Sequence, residues 1–313
     1  MKKIILDVDT GIDDALGIIL AVKSKKFDIV GITTTNGNVT VDRATENTLK
    51  VLHLLGCHSS IPVYQGASRP LLRKPVFEHR VHGEDGLGGA LPELLVEKRD
   101  SLFAPDFMID TILQHKHDIS LIMTAPLTNL ALALQKNPQI VNYVNEVIVM
   151  GGVVRDYGNI TPTAEYNMFV DPEAAKIVFH SGLPITLVGL DVTRKVLLTE
   201  RHIQKLKDPK VQHFVRTSTA HYIDRYYRLH GIKACALHDP LAVGVALDRD
   251  LVQTQKMYVD IETRSELCDG QTVCDFQSRL NLPPNIEVCL DVNTHQFMDM
   301  FINSLNLTSN DPA

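Results

Sequence analysis

Long runs of lysine or arginine are missing from this 313-residue chain, which has 31 basic and 37 acidic residues and a net charge of −6. A nucleic-acid binder needs a basic stripe, so nucleic acid is not expected as a partner. Lys23, Lys25 and Lys26 make only a small basic spot, the solvated end of a helix. No stretch approaches the roughly 18 consecutive apolar residues of a membrane span, so no membrane partner is expected either. Two N-terminal lysines are followed almost at once by Asp7 and Asp9, which spoils the apolar centre of a signal peptide. The five cysteines (Cys57, Cys235, Cys268, Cys274 and Cys289) are odd in number and form no C-x-x-C pair. Reduced thiols and a cytoplasmic location follow as expectations. No Ser/Gly linker, low-complexity tract or repeat divides the chain, so one domain is expected over 1–313, with 308–313 as a frayed tail.

What the chain does have is acid in one place. Asp7, Asp9, Asp13 and Asp14 fall within eight residues, directly after the apolar segment Ile4-Ile5-Leu6. That segment is short, β-branched and followed by a Gly turn, which predicts a buried strand. Ala15, Leu16, Ile18, Ile19, Leu20 and Val22 predict a helix, so the acids sit where a strand gives way to a helix. A helix cap needs one acid, and here there are four. Crowded carboxylates repel unless a cation neutralises them, and oxygen-only ligands imply a hard ion, Ca²⁺ or Mg²⁺. Asp7 lies one pleat deeper than Asp9 and reads as structural.

Strand-like and helix-like stretches then alternate. Ile29–Thr35, Ile61–Tyr64, Ile119–Met123, Glu146–Met150 and Pro184–Val188 read as strands. Between them, helices are expected at about 41–55, 103–114, 130–134 and 172–180. Spacing of this kind predicts an α/β fold with a mainly parallel central sheet and helices on both faces. A largely helical stretch covers 200–231, strand-like runs follow at 256–261 and 286–290, and a last helix occupies about 294–305. Polar groups recur where strands end: Asp9 and Asp14, Asn36 and Asn38, Thr124 and Asn129, then Met150-Gly151-Gly152. A ligand crevice along the carboxyl ends of the strands explains that repetition.

Two more clusters stand out. Asn159 leads to Glu165-Tyr166-Asn167, whose acid and amide alternate with bulky residues, and then to Asp171-Pro172, a helix cap with proline in the first turn. His238-Asp239-Pro240 stands at the start of another helix. Together these residues resemble the inosine-uridine preferring nucleoside hydrolase family. The Asp7-x-Asp9-Thr10-Gly11-x-Asp13-Asp14 opening is similar to that family's hallmark, with Thr10 where proline is usual. In order along the chain follow Thr35-x-Gly37-Asn38, His82-Gly83-x-x-Gly86, Thr124-x-x-x-Thr128-Asn129, Met150-Gly151-Gly152, Glu165-x-Asn167 and His238-Asp239-Pro240.

The resemblance implies an open Rossmann-like fold and hydrolysis of the N-glycosidic bond of a ribonucleoside, giving ribose and free base with bound Ca²⁺. It implies Asp9, Asp14, Asp239 and the Thr124 carbonyl as metal ligands, leaving coordination room for the ribose diol and a water. Asp9 would also be the general base for that water. Asp13, Asn38, Met150, Asn159, Glu165 and Asn167 would hold the ribose. The transition state is expected to resemble an oxocarbenium ion, stabilised by the carboxylates. His238 is the candidate donor to the departing base. His82, in a loop like the family's mobile lid, and Tyr222, Tyr226 and His230, repeating every four residues on one helix, are the candidate base contacts. Arg225, Tyr227 and Arg228 are expected on other faces of that helix. The resemblance also suggests a homo-oligomer, dimer or tetramer. Two rivals are a non-catalytic nucleoside or sugar binder and a Mg²⁺-dependent phosphatase, in which Asp7 would be nucleophile and Asp9 acid.

Overall fold

The computed structural model describes residues 1–93 and 100–308. All of the expected frayed tail except Thr308 lies outside those residues. Eight strands form the central sheet: β1 (Lys2–Val8), β2 (Phe27–Thr34), β3 (Val63–Gln65), β4 (Ser120–Met123), β5 (Glu146–Met150), β6 (Ile185–Val188), β7 (Val252–Met257) and β8 (Ile286–Val292). Their order across the sheet is β3-β2-β1-β4-β5-β6-β8-β7. Every neighbouring pair is parallel except the edge pair of β8 and β7. β4 and β6 are buried at every position, as parallel strands covered on both faces must be.

Alternation along the strands feeds two cores. Ile4, Leu6 and Val8 of β1, with Ile148 and Met150 of β5, pack on the face that carries helices Ile12–Lys23, His238–Leu247 and Thr294–Leu305. Ile5, Val147 and Val149 point the other way, toward helices Ala104–Gln114, Thr128–Lys136 and Pro172–Phe179.

From β1 the chain winds outward to β2 and β3, and it then returns to β4 and winds through β5 and β6 in the opposite direction. The crossovers therefore part between β1 and β4, leaving a crevice beyond the carboxyl ends of these strands. Asp9 follows β1 and Thr124 follows β4, so the reversal itself brings both to that crevice.

Three element boundaries differ from the sequence expectation. The helix after β1 starts at Ile12, so Asp13 and Asp14 lie within its first turn rather than before it. The helical stretch from 200 breaks into Glu200–Ile203 and Pro209–His230, because Pro209 starts a new helix capped by the Asp208 carboxylate. The strand-like run 256–261 divides at Tyr258. β7 ends the main sheet, while Val259–Ile261 pairs with Thr272–Cys274 in a separate hairpin. β7 also begins earlier than expected, because its Gln253, Thr254, Gln255 and Lys256 lie at an exposed edge and show no apolar alternation.

The segment after β3 crosses the carboxyl edge of the sheet and is tied down by Arg73. The Arg73 guanidinium donates to Glu173 (2.9 Å from Nε), to Asp269 (2.8 Å from Nη1) and to the Thr263 carbonyl (3.0 Å).

Candidate active site

The first turn of the helix after β1 puts Asp13 into a space that, among the described residues, no compensating lysine or arginine lines, while Asp9 and Asp14 are buried without lining it. Asp13, Asp14 and Asp239 each present a carboxylate oxygen within 4.8 Å of the other two. Asp9 stands beside this trio rather than in it. Its Oδ2 accepts the Asn38 backbone N–H at 2.6 Å, and its buried Oδ1 has no hydrogen-bond partner among the described residues. Gly37 permits this approach, since a Cβ there would stand 1.9 Å from Asp9 Oδ2. Asp14 is held more fully. Oδ1 accepts the Thr124 hydroxyl at 2.8 Å, and Oδ2 accepts the Gly11 N–H at 3.0 Å and the Asn38 side-chain amide at 3.1 Å. Asp13 Oδ1 is another buried oxygen without a hydrogen-bond partner among the described residues, with His82 Nδ1 3.9 Å away.

Burial is the main cause of a common upward shift in these acids, and repulsion from neighbouring carboxylates adds to it at Asp9, Asp14 and Asp239. Asp13 and Asp14 are pushed up to about 6, while Asp9 and Asp239 are raised well above the ordinary aspartate value. Asp7 is raised to about 7 by burial despite accepting hydrogen bonds from Thr33 (2.6 Å) and Asn129 (2.8 Å). Like Asp9 and Asp14 it is fully buried.

The opposite wall comes from the segment after β5. Glu165 caps the short helix Tyr166–Val170: Oε1 accepts the Asn167 N–H, and Oε2 accepts those of Gly152 and Met168. Burial still lifts Glu165 to about 7. Asn167 donates to the Thr124 carbonyl at 2.8 Å and to the Met150 carbonyl at 3.2 Å, tying this wall to the ends of β4 and β5. Asn159 accepts the Tyr166 N–H at 2.9 Å. Asn38, Met150, Asn159, Glu165 and Asn167 all line one inner chamber with Asp13, Thr124 and Asp239.

Two histidines complete that chamber. His82 is buried at the end of helix His79–His82, where Nδ1 accepts the Ile12 N–H at 3.0 Å, and burial pulls its pKa down to about 4. His238 begins helix His238–Leu247 with Nδ1 2.7 Å from the Thr193 hydroxyl. Burial, with the Arg194 charge adding to it, lowers His238 to about 3, so its imidazole is neutral near pH 7.

Beyond the inner chamber, of about 80 Å³, lies an outer one of about 240 Å³. Tyr222 and His238 belong to both, while Tyr226 and His230 line only the outer chamber, their rings 4.4 Å apart. The two chambers share Glu78, Val81, Asn159, Tyr166, Tyr222 and His238 and are therefore contiguous, and together they reach the lower end of the roughly 300–1,000 Å³ range of small-molecule sites. Arg225 also lines the outer chamber, contrary to expectation, because the helix presents 222, 225, 226, 229 and 230 as one stripe. Glu78, Val81, Tyr157, Tyr166 and Arg194 were not singled out from the sequence yet line the same space. Tyr166 donates to the Val76 carbonyl at 2.7 Å, and Arg194 lies 4.2 Å over the Tyr157 ring. Of these, only Tyr166 carried a local signal, from its position between Glu165 and Asn167.

With this geometry in hand, comparison with known proteins is decisive. The sequence signature of the family described as inosine-uridine preferring nucleoside hydrolase matches residues 4–299. The chain belongs to that family. It is 36% identical to the "Pyrimidine-specific ribonucleoside hydrolase RihB" of Escherichia coli (strain SE11), over 95% of this chain and 94% of that protein. Among solved structures it is similar to the "Plant nucleoside hydrolase - PpNRh1 enzyme" (TM-score 0.93, 31% identity, 98% of this chain and 99% of the other). It is also similar to the "Purine-Preferring Ribonucleoside Hydrolase from Gardnerella vaginalis" (TM-score 0.91, 34% identity, 97% and 98%). As a nucleoside hydrolase the chain is an enzyme of the nucleosidase class, and its Rossmann-like α/β sheet is the one that the sequence predicted. No helix among the described residues is long and apolar enough to cross a membrane.

Proposed function

We propose that this nucleoside hydrolase cleaves the N-glycosidic bond of ribonucleosides in a calcium-dependent reaction, releasing ribose and a free base. The observation that carries the reading is the group of buried carboxylates at the switch point of the sheet, two of whose oxygens, Asp9 Oδ1 and Asp13 Oδ1, have no partner. Buried unpaired carboxylate oxygens are costly, and an oxygen-only set with no cationic side chain suits a hard divalent ion. Asp9, Asp14, Asp239 and the Thr124 carbonyl would hold that ion, with Asp13 close enough to share in it. When bound, calcium supplies charge neutralisation for the cluster, a Lewis-acid anchor for a vicinal diol and a lowered pKa for water.

The chain's own groups account for the rest. The unpartnered Asp9 Oδ1 takes the proton of the attacking water. Asp13 and Asn38 hold the ribose diol, while Asn159, Glu165 and Asn167 hold the remaining sugar hydroxyls and Met150 packs under the ring. Glu165 already fixes three backbone N–H groups, so it presents a rigid acceptor. The carboxylate-rich wall stabilises the developing positive charge on the sugar, preorganised by the fold. Neutral His238 donates a hydrogen bond to the departing base, and His82, Tyr222, Tyr226 and His230 surround it. The family match over residues 4–299 weighs against the phosphatase alternative, as does the anchoring of Asp7 Oδ1 by Thr33 and Asn129. A single domain acting in the cytoplasm as a dimer or tetramer completes the reading.

Relatives whose names specify pyrimidine and purine substrates are both similar to this chain, so base preference is left to assay. The test is release of ribose from uridine, cytidine and inosine, before and after chelation. Release that chelator abolishes and calcium restores is the expected result. Absence of ribose from every nucleoside would overturn the proposal in favour of a non-catalytic binder.

A further inference from the structure

His238 enters the cavity with one nitrogen already spoken for. The helix Leu190–Thr193 follows β6 at the carboxyl edge, and the small pairing of Leu197–Leu198 with Cys235–Ala236 brings His238 back beside it. The Leu237 N–H to Val196 carbonyl bond, 3.0 Å, tightens this return one residue before His238. The result is the 2.7 Å contact between the Thr193 hydroxyl and His238 Nδ1.

Which atom donates in that contact follows from satisfaction. Thr193 is fully buried, and among the described residues His238 Nδ1 is the one hydrogen-bond partner of its hydroxyl. If His238 Nδ1 carried the proton, the Thr193 hydroxyl would accept it and bury its own O–H without an acceptor, a costly arrangement. If Thr193 donates, both groups are satisfied and the imidazole proton resides on Nε2. The ring nitrogen not held by a neighbour is then the one available to a ligand. His82 shows the same logic with no ambiguity: the Ile12 N–H can only donate, so neutral His82 also carries its proton on Nε2.

We propose that Thr193 is a positioning residue that fixes His238 in the Nε2–H tautomer and so turns a neutral hydrogen-bond donor toward the leaving base. The catalytic half of this inference rests on the role assigned to His238 above, whereas the tautomer does not. Both are tested on the full-length protein. Long-range ¹H–¹⁵N spectra, with His238→Gln to identify the signal, should show His238 Nδ1 unprotonated and Nε2 protonated, with His82 in the same state. A protonated Nδ1 on His238 overturns the proposal, whatever the activity. Thr193→Val keeps the shape and removes the donor. It should lower kcat/KM for a natural nucleoside about five- to tenfold, the scale of one hydrogen bond, and leave a 4-nitrophenyl riboside unaffected. Thr193→Ser should restore the natural substrate. Equal losses on both substrates would make Thr193 a merely structural residue and overturn the catalytic half. Failure to cleave any nucleoside, with the Nε2–H tautomer observed, would instead remove the proposed activity and leave the tautomer standing.

Discussion

Stripped of metal, this protein should lose stability as pH rises above neutrality, the reverse of what ordinary salt-bridged carboxylates produce. Asp9 and Asp239 are raised well above the aspartate range, and Asp7 and Glu165 are raised to about 7. A carboxyl whose folded pKa exceeds its unfolded value stabilises below the unfolded value, and that contribution disappears as pH climbs through the folded one. The unfolded chain has released these protons long before pH 6.5, so each proton the native cluster still holds costs about 1.4 kcal/mol per pH unit. From pH 6.5 to 8.5 one such proton amounts to ~3 kcal/mol, or about 5 °C in a chain of this size. The histidines act in the other direction. His82 and His238 are depressed to about 4 and about 3, so their contribution falls away as pH drops below about 6.5. Four raised carboxyls outnumber the two histidines, so the chelated protein should already be losing stability as pH rises through 6.5 and should continue to lose it above. Calcium at a hundred times its Kd adds about 2.7 kcal/mol, enough to offset the loss from one such proton. The assay is thermal unfolding at pH 6.5, 7.5 and 8.5, with chelator and with excess calcium. A chelated Tm that stays level or rises across that range, or a calcium increment equal at all three values, would refute the reasoning.

Other expectations concern single contacts. Asp9→Asn preserves shape and the Asn38 contact but removes the base, so kcat should fall by about 10²–10⁴ while Tm in chelator holds or rises. A variant within tenfold of wild type would remove Asp9 from the chemistry. A 2′-deoxynucleoside lacks half of the diol and should bind far more weakly than its ribo counterpart, measured as KM in the ribose assay; equal turnover would exclude diol anchoring. Gly11→Ala would place a Cβ 2.6 Å from His82 Nδ1 and 2.9 Å from Asn38 Nδ2. It should displace His82 and strip the Ile12 N–H of its acceptor, lowering stability by about 1–3 kcal/mol in denaturant titration and raising KM.

The catalytic edge was legible because it is encoded locally. Each strand delivers its polar residues within a few positions of its own end, so Asp9, Asn38, Thr124 and Met150 could be assigned to one edge from periodicity alone. Glu165, Asn167 and His238 needed the family resemblance, since their segments return to the edge from outside the strands. What escaped was set by tertiary approach. Glu78 and Val81 reach the cavity only because their segment is fastened across the sheet, and Arg194 and Tyr157 only because two distant loops stack. Arg225 was misplaced because a four-residue repeat captures half of a helical face; the i+3 neighbours complete it. The Val252–Met257 edge strand was misjudged for a related reason: an exposed edge has no apolar face to announce it.

The Arg73 tie has a bearing on when the enzyme becomes competent. Its partners Glu173 and Asp269 lie 100 and 196 residues further along the chain. Contacts of that span form after local structure, because the loop they close is entropically expensive until the intervening segments are packed. During synthesis the segment leading to Glu78 and His82 thus has no complete anchor until the growing polypeptide has passed Asp269. The fastening of that segment over the site is accordingly a late event, possible only once Asp269 has been made.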